Sequence, residues 1–281
     1  METIKNKNFS YERALYGLSS ASVQNCTFAG EEDGESALKE CKNVEIENCA
    51  FHLRYPLWHT SHFKVTKSEF FESSRAPIWY AQNGIFENCT INGVKAVREC
   101  KDIRATNCKI TSPEFGWKCN GLKLEKVDVT AEYFLLDSKD ISLNEVTLNG
   151  KYSFQYVKGG EILDSKLFTK DAFWHSENHV VKNCILKGEY LGWYSKNLTL
   201  IDCHIIGTQP LCYCENLTLI NCTTEGCDLA FEYSSVNAKI NGFIHSVKNV
   251  KSGKVVADQI GEIIKENAVI NCTGEVIDLS K

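Results

Sequence analysis

No run of about 18 apolar residues occurs anywhere in the 281-residue chain, which excludes a membrane-spanning helix. The N-terminus, Met1-ETIKNKNFSYERALYG, lacks the apolar core of a secretory signal, so export is not expected. Positive charge is sparse as well. The 31 Lys and Arg stand against 36 Asp and Glu, giving a net charge of −5 with the basic residues scattered, and such a surface has no electrostatic footprint for nucleic acid. No Cys-x-x-Cys pair and no Cys/His group at zinc spacing is present, so no metal or other cofactor is expected. Methionine appears once and proline four times.

What is abundant is a period. Cys89, Cys108, Val127, Val146, Ser165, Cys184, Cys203 and Cys222 are separated by seven successive intervals of 19 residues. A period near 20 without helical punctuation marks a solenoid, in which each repeat is one coil touching only its neighbours. Aligned coils read Cys41-KNVEIEN-Cys49, Cys100-KDIRATN-Cys108, Ser195-KNLTLID-Cys203 and Cys214-ENLTLIN-Cys222. Within each, apolar residues alternate, as in Leu198 and Leu200, the signature of a strand with one face buried.

Three columns of residues suited to left-handed backbone punctuate the coil. One holds Asn43, Asn83, Asp102, Gly121, Asp140, Asn178, Asn197 and Asn216; a second holds Asn25, Asn48, Asn88, Asn107, Asn183 and Asn221; a third holds Gly93, Gly150, Gly188, Gly207 and Gly226. Asn, Asp and Gly tolerate positive φ at least cost, so three turn columns per repeat predict a three-sided coil. Strand spacing of about 4.8 Å then places the second Asn column as a ladder of side-chain amides.

This pattern resembles the right-handed parallel β-helix of the pectate-lyase-like superfamily. The resemblance implies an all-β, single-stranded right-handed helix, and the repeats predict about 11–12 coils of about 19 residues. One domain spanning 1–281 is expected: an N-terminal cap at 1–14, coils over 15–245 and short closing strands over 246–281. An acidic loop, Gly30-EEDGES, widens one interval to 23 residues. The chain length, the segment Glu32-DGESALKE and the tail Ser252-GKVVADQIGEII also resemble a bacterial family of about this size with no assigned function.

Fourteen Cys occupy mainly two repeat columns, where Ser, Val and Ala replace them. Those columns therefore want small buried residues, and a free thiol is one. Together with Asn-x-Ser/Thr triplets at ladder positions, where a glycan would block stacking, this predicts a reducing, cytoplasmic location.

One column behaves differently. Two residues before the small position lie Trp58, Trp79, Arg98, Trp117, Leu136, Gln155, Trp174, Trp193 and Cys212, which accounts for all five Trp. The next position reads Glu40, His59, Tyr80, Glu99, Lys118, Asp137, Tyr156, His175, Tyr194, Tyr213 and Tyr233. So mixed a set predicts an outward face, reached through a bulge. Exposed aromatics at coil spacing suit an oligosaccharide or sugar-containing small molecule, with Trp58, His59, Trp79, Tyr80, Trp117, Trp174, His175, Trp193 and Tyr194 as binding candidates. The plainer reading is that these rings pack under the connecting loops and stabilise the sheet.

Glu99 and Asp137 are the catalytic candidates, with Lys118 between them and Arg98 beside. Two coils place them about 9.6 Å apart, near the upper end for an inverting carboxylate pair; an exposed ladder of alternating charge reads equally well. The segments that carry catalysis in polygalacturonases and pectate lyases are absent, so no catalytic residue transfers by resemblance. A hydrolase or lyase, a non-catalytic sugar-binding module and a self-associating structural protein all remain open.

Overall fold

The protein is described by a computed structural model covering residues 2–31 and 34–281, so part of the acidic segment at Gly30–Ser36 (Glu32 and Asp33) lies outside the described residues. The chain is an all-β parallel solenoid of about 14 turns of about 19 residues. That exceeds the expected eleven or twelve because both ends of the chain also wind. Glu2–Lys5 pairs in register with Ala21–Gln24, and Asn8–Phe9 with Thr27–Phe28; the segment expected to cap the first coil thus carries ladder strands. Towards the C-terminus, where short closing strands are expected, the 14-residue strand Ser235–Lys248 pairs with the 13-residue strand Ser252–Ile264, which pairs with Glu275–Asp278. No helix is long and apolar enough to cross a membrane.

Two compact units make up the chain, residues 1–142 and 143–281. In the first, one face is built from Ser19–Gln24, Lys42–Glu47, Ser61–Thr66, Gln82–Glu87 and Lys101–Thr106, all parallel. A second face stacks Thr27–Phe28, Ala50–Phe51, Glu69–Phe70, Thr90–Asn92 and Lys109–Thr111. The third side has only two-residue strands, Leu57–Trp58, Ile78–Trp79 and Val97–Arg98. In the second unit, Lys158–Leu163, Glu177–Lys182 and Lys196–Ile201 form the first face and Thr147–Ser153, Lys166–Phe168, Ile185–Lys187 and His204–Ile206 the second. Its third side runs through turns.

In-register pairing sets identical positions one strand spacing apart, and the core exploits this. Phe9, Phe28, Phe51 and Phe70 are buried and stacked at centroid distances of 5.0, 4.8 and 4.6 Å, as are Phe154 and Phe173 at 4.7 Å. Each contributes about 1.5–3 kcal/mol of transfer free energy. Where Phe63 fills the core, the next coil has Gly84, because any Cβ there would meet the ring at 2.2 Å.

The first two turn columns have the backbone their residues imply: Asn25, Asn48, Asn83, Asp102, Asn107, Asn178, Asn197 and Asn216 all have φ between 51° and 61°; the glycine column does not share it throughout, since Gly93 and Gly207 have φ of 137° and 131° and Gly188 is not at positive φ. Amide ladders follow, Asn48 to Asn25 at 2.9 Å, Asn25 to Asn6 at 3.1 Å and Asn216 to Asn197 at 2.8 Å.

The small columns do more than fill space. Ser138 Oγ accepts the Cys119 N–H at 2.9 Å and donates to the Gly116 carbonyl at 2.6 Å. Cys108 Sγ likewise accepts from the Cys89 N–H at 3.4 Å and donates to the Thr106 carbonyl at 3.3 Å. These groups serve backbone atoms at the bends, which buried chains must satisfy, so Cys and Ser interchange. All fourteen cysteines are free, thirteen of them buried, and burial pushes thiols such as Cys41 and Cys227 up to about 11, well away from reactive thiolates.

Candidate functional site

The outward column is made by left-handed backbone, not by a bulge. In the first unit Glu40, His59, Tyr80, Glu99, Lys118 and Asp137, and in the second Tyr156, His175, Tyr194, Tyr213 and Tyr233, all have φ between 51° and 60°. This bend directs the side chain outward while the next residue, a buried Cys, Ser, Thr, Ala or Val, points in. β-Branched residues, for which left-handed backbone is most costly, are missing from both sets.

In the first unit the neighbouring Trp column is closed. Trp58 and Trp79 stack at 5.7 Å with 13° between their planes, and Tyr55 stands edge-on to both at 6.2 and 6.0 Å. The Lys39 ammonium lies 4.4 Å from the centre of the Trp58 ring. His59 stacks on Tyr80 at 5.0 Å. Further along, the Arg98 guanidinium covers Trp117 at 5.4 Å, and the Trp117 indole N–H donates to the Tyr133 carbonyl at 3.0 Å.

The charged candidates cluster only in part. Arg98 Nε donates to Glu99 Oε1 at 3.2 Å, and Arg98 and Lys95 approach the same Glu114 carboxylate oxygen at 3.8 and 3.5 Å. Partial burial and the Glu99 carboxylate raise the Tyr80 phenol above its ordinary value. Lys118 and Asp137 make no ion pair among the described residues, and no hydrogen-bonded group joins Asp137 to Glu99.

The second unit is arranged otherwise. Tyr156, His175, Tyr194 and Tyr213 stack successively at 5.3, 4.8 and 4.8 Å, within 13° of parallel. Rings stacked this way cover one another's faces and offer outward only their edges and polar atoms. Trp193, in the neighbouring column, stands edge-on to these rings: it lies at 81° to Tyr194, 71° to Tyr213 and 67° to Tyr190, its indole N–H fixed on the Gln209 carbonyl at 2.8 Å. Trp174 is 37% exposed. Together Asp171, Trp174, Tyr190, Trp193 and Gln209 line a cavity of about 360 Å³.

Asp171, Tyr190 and Gln209 are one residue per coil, with φ of 50°, 57° and 47°. Sequence reasoning missed them, although they recur at 19-residue spacing three positions ahead of Trp174, Trp193 and Cys212. Burial raises the Asp171 carboxyl above its ordinary value, opposed by Lys170 and reinforced by Glu189. Among the described residues the Asp171 carboxylate takes no hydrogen bond and no ion pair.

A parallel β-solenoid with an aromatic outer column is therefore the class of protein at hand. The chain belongs to the DUF3737 family, described as protein of unknown function, which it matches over residues 2–277. No curated protein matches the sequence. Solved structures similar to the chain include HetL, a pentapeptide repeat protein of the cyanobacterium Nostoc, at 10% identity and a TM-score of 0.34, covering 80% of this chain and 92% of that one. A tailspike protein of Escherichia coli bacteriophage HK620, solved with a pentasaccharide, aligns at 10% identity and a TM-score of 0.41 over 93% of this chain and 60% of its own. The A-module of the Azotobacter vinelandii mannuronan C-5 epimerase AlgE4 aligns at 10% identity and a TM-score of 0.33 over 97% of both. At these scores the likenesses carry no functional inference.

Proposed function

We propose that this chain is a carbohydrate-binding β-solenoid whose outer aromatic face takes an oligosaccharide, with its main subsite in the second unit. The observation that carries this is the cavity formed by Trp174, Tyr190 and Trp193, where ring surface is left uncovered beside a carboxylate and an amide. Its volume of about 360 Å³ falls within the range of about 300–1,000 Å³ for small-ligand pockets. Uncovered indole stacks on the C–H face of a sugar ring, while the stacked His175 and Tyr194 present edges to sugar hydroxyls.

Binding is favoured over catalysis. Glu99 is tied to Arg98, and Asp137 stands in an exposed column, whereas glycoside cleavage uses two carboxylates flanking the scissile bond. The fourteen free thiols support the expected reducing location. Glycan arrays followed by calorimetry test the proposal: binding that Trp174→Ala and Trp193→Ala each weaken at least tenfold, with the fold intact by circular dichroism, supports it. No binding across neutral, acidic and amino glycans would sink it. A second reading, self-association, draws on Phe243, Val269, Ile270 and Leu279, exposed in the second unit; a monodisperse monomer by light scattering at high concentration counts against it.

A further inference from the structure

We infer that the cavity of the second unit is selective for a cationic amino group, so that its sugar is a hexosamine-type unit with a free ammonium; this rests on the carbohydrate-binding reading above. Three aromatic rings, one carboxylate and Gln209 form the lining. Ring faces attract cations through their quadrupole, and aromatic cages are a recurrent means of holding substituted ammonium groups. No lining side chain is cationic, which leaves an acidic sugar without a partner. Lys170, the basic neighbour of Asp171 in sequence, places its ammonium 5.9 Å from the Tyr152 ring. Lys170 is still felt at Asp171, more strongly than the opposing Glu189, but forms no ion pair with it among the described residues.

The first unit provides an internal precedent. There the same Trp column is served by cations of the protein itself, Lys39 at 4.4 Å over Trp58 and Arg98 at 5.4 Å over Trp117. Among the described residues Trp174 and Trp193 have no Lys or Arg over their rings. What they have is Asp171, a carboxylate without an ion-pair partner in the wall of an open cavity. A cation from outside completes the arrangement that Lys39 and Arg98 complete internally.

The test titrates the full chain by calorimetry with a β-linked glucosamine oligomer at a pH where its amines are protonated, with the fully N-acetylated oligomer of the same length, and with tetramethylammonium followed by tryptophan fluorescence. The free-amine oligomer is expected to bind at least tenfold more tightly than the acetylated one. In Asp171→Asn that preference is expected to vanish with the melting temperature unchanged, since Asn accepts the φ of 50° at this position. Asp202→Asn, in a ladder column, controls for the loss of one charge and is expected to leave the preference intact. Equal binding of both oligomers overturns the cation selectivity and leaves the sugar reading standing, as does an amine preference that survives Asp171→Asn. Tetramethylammonium binding lost in Asp171→Asn, with neither oligomer bound, keeps the cation site and overturns its assignment to a hexosamine. Failure of all three ligands to bind overturns the cation site, and the sugar reading falls with it only if neutral and acidic glycans fail as well.

Discussion

Trp58 and Trp79 in the first unit and Trp174 and Trp193 in the second occupy the same column of the repeat, yet one pair is sealed and the other open. Trp58 and Trp79 stack with 13° between their planes and are wedged by Tyr55. Their indole N–H groups are buried without an acceptor, a cost that only tight packing offsets. Trp193 instead donates its indole N–H to the Gln209 carbonyl, as Trp117 does to the Tyr133 carbonyl, and stands with Trp174 in the wall of the cavity. One backbone position yields either mortar or a pocket. Tyr55 stands edge-on to both indoles in the first unit; in the second, Tyr190 stands edge-on to Trp193 alone, and Asp171 lines the cavity beside Trp174.

The strongest test of this contrast is truncation. Trp58→Ala or Trp79→Ala is expected to cost about 3–5 kcal/mol, and Trp174→Ala or Trp193→Ala only ~1 kcal/mol, read from urea denaturation; equal costs would erase the distinction. Almost as large is an effect inside the second unit, where His179 replaces the Ile103 and Leu122 of the first. Its Nε2 lies 3.2 Å from the Val157 carbonyl oxygen, its Nδ1 has no partner, and burial pushes the imidazole down to about 4. The unfolded chain takes up this proton from about pH 6.5. Between those values the unfolded state holds more protons, so stability falls as pH drops from 6.5 towards 4, by ~3 kcal/mol. His179→Leu is expected to flatten that part of the profile in melts between pH 4.5 and 7.

Where the units do not differ, the effects should match. Ser138→Ala in the first unit strands the Cys119 N–H, and Ser234→Ala in the second strands the Cys214 N–H. Each is expected to cost about 1–3 kcal/mol, with Ser→Cys milder at both, by denaturant titration. Smallest is Lys39→Met, which removes the cation over Trp58 and should lower stability by about 0.5–1 kcal/mol, seen as a small drop in melting temperature.

The parallel coils, the alternating strands, the Asn ladders and the free thiols were all legible in the sequence, because in-register stacking writes each structural position as a column. Residues 2–9 were not. They lack the hydrophobic-x-Asn-Cys phrase, and only pairing with Ala21–Gln24 and Thr27–Phe28 reveals a coil there. The candidate site was half legible. Its Trp residues stood out by type, but Asp171, Tyr190 and Gln209 share only a backbone conformation, and three unlike side chains look like an ordinary surface. The Trp193 indole is held by a hydrogen bond to a main-chain carbonyl, which leaves no trace in residue identity.

The left-handed bend that carries Glu40 to Asp137 in one unit and Tyr156 to Tyr233 in the other has an evolutionary corollary. Because its conformation is fixed by the coil and not by the residue, any amino acid unbranched at Cβ can be written there without disturbing the ladder beneath. Acid, base, imidazole and phenol already alternate at it. Such a strip can drift in chemistry while the architecture stands still, and a lineage can acquire a new ligand by single substitutions, none of which needs a compensating change in the core.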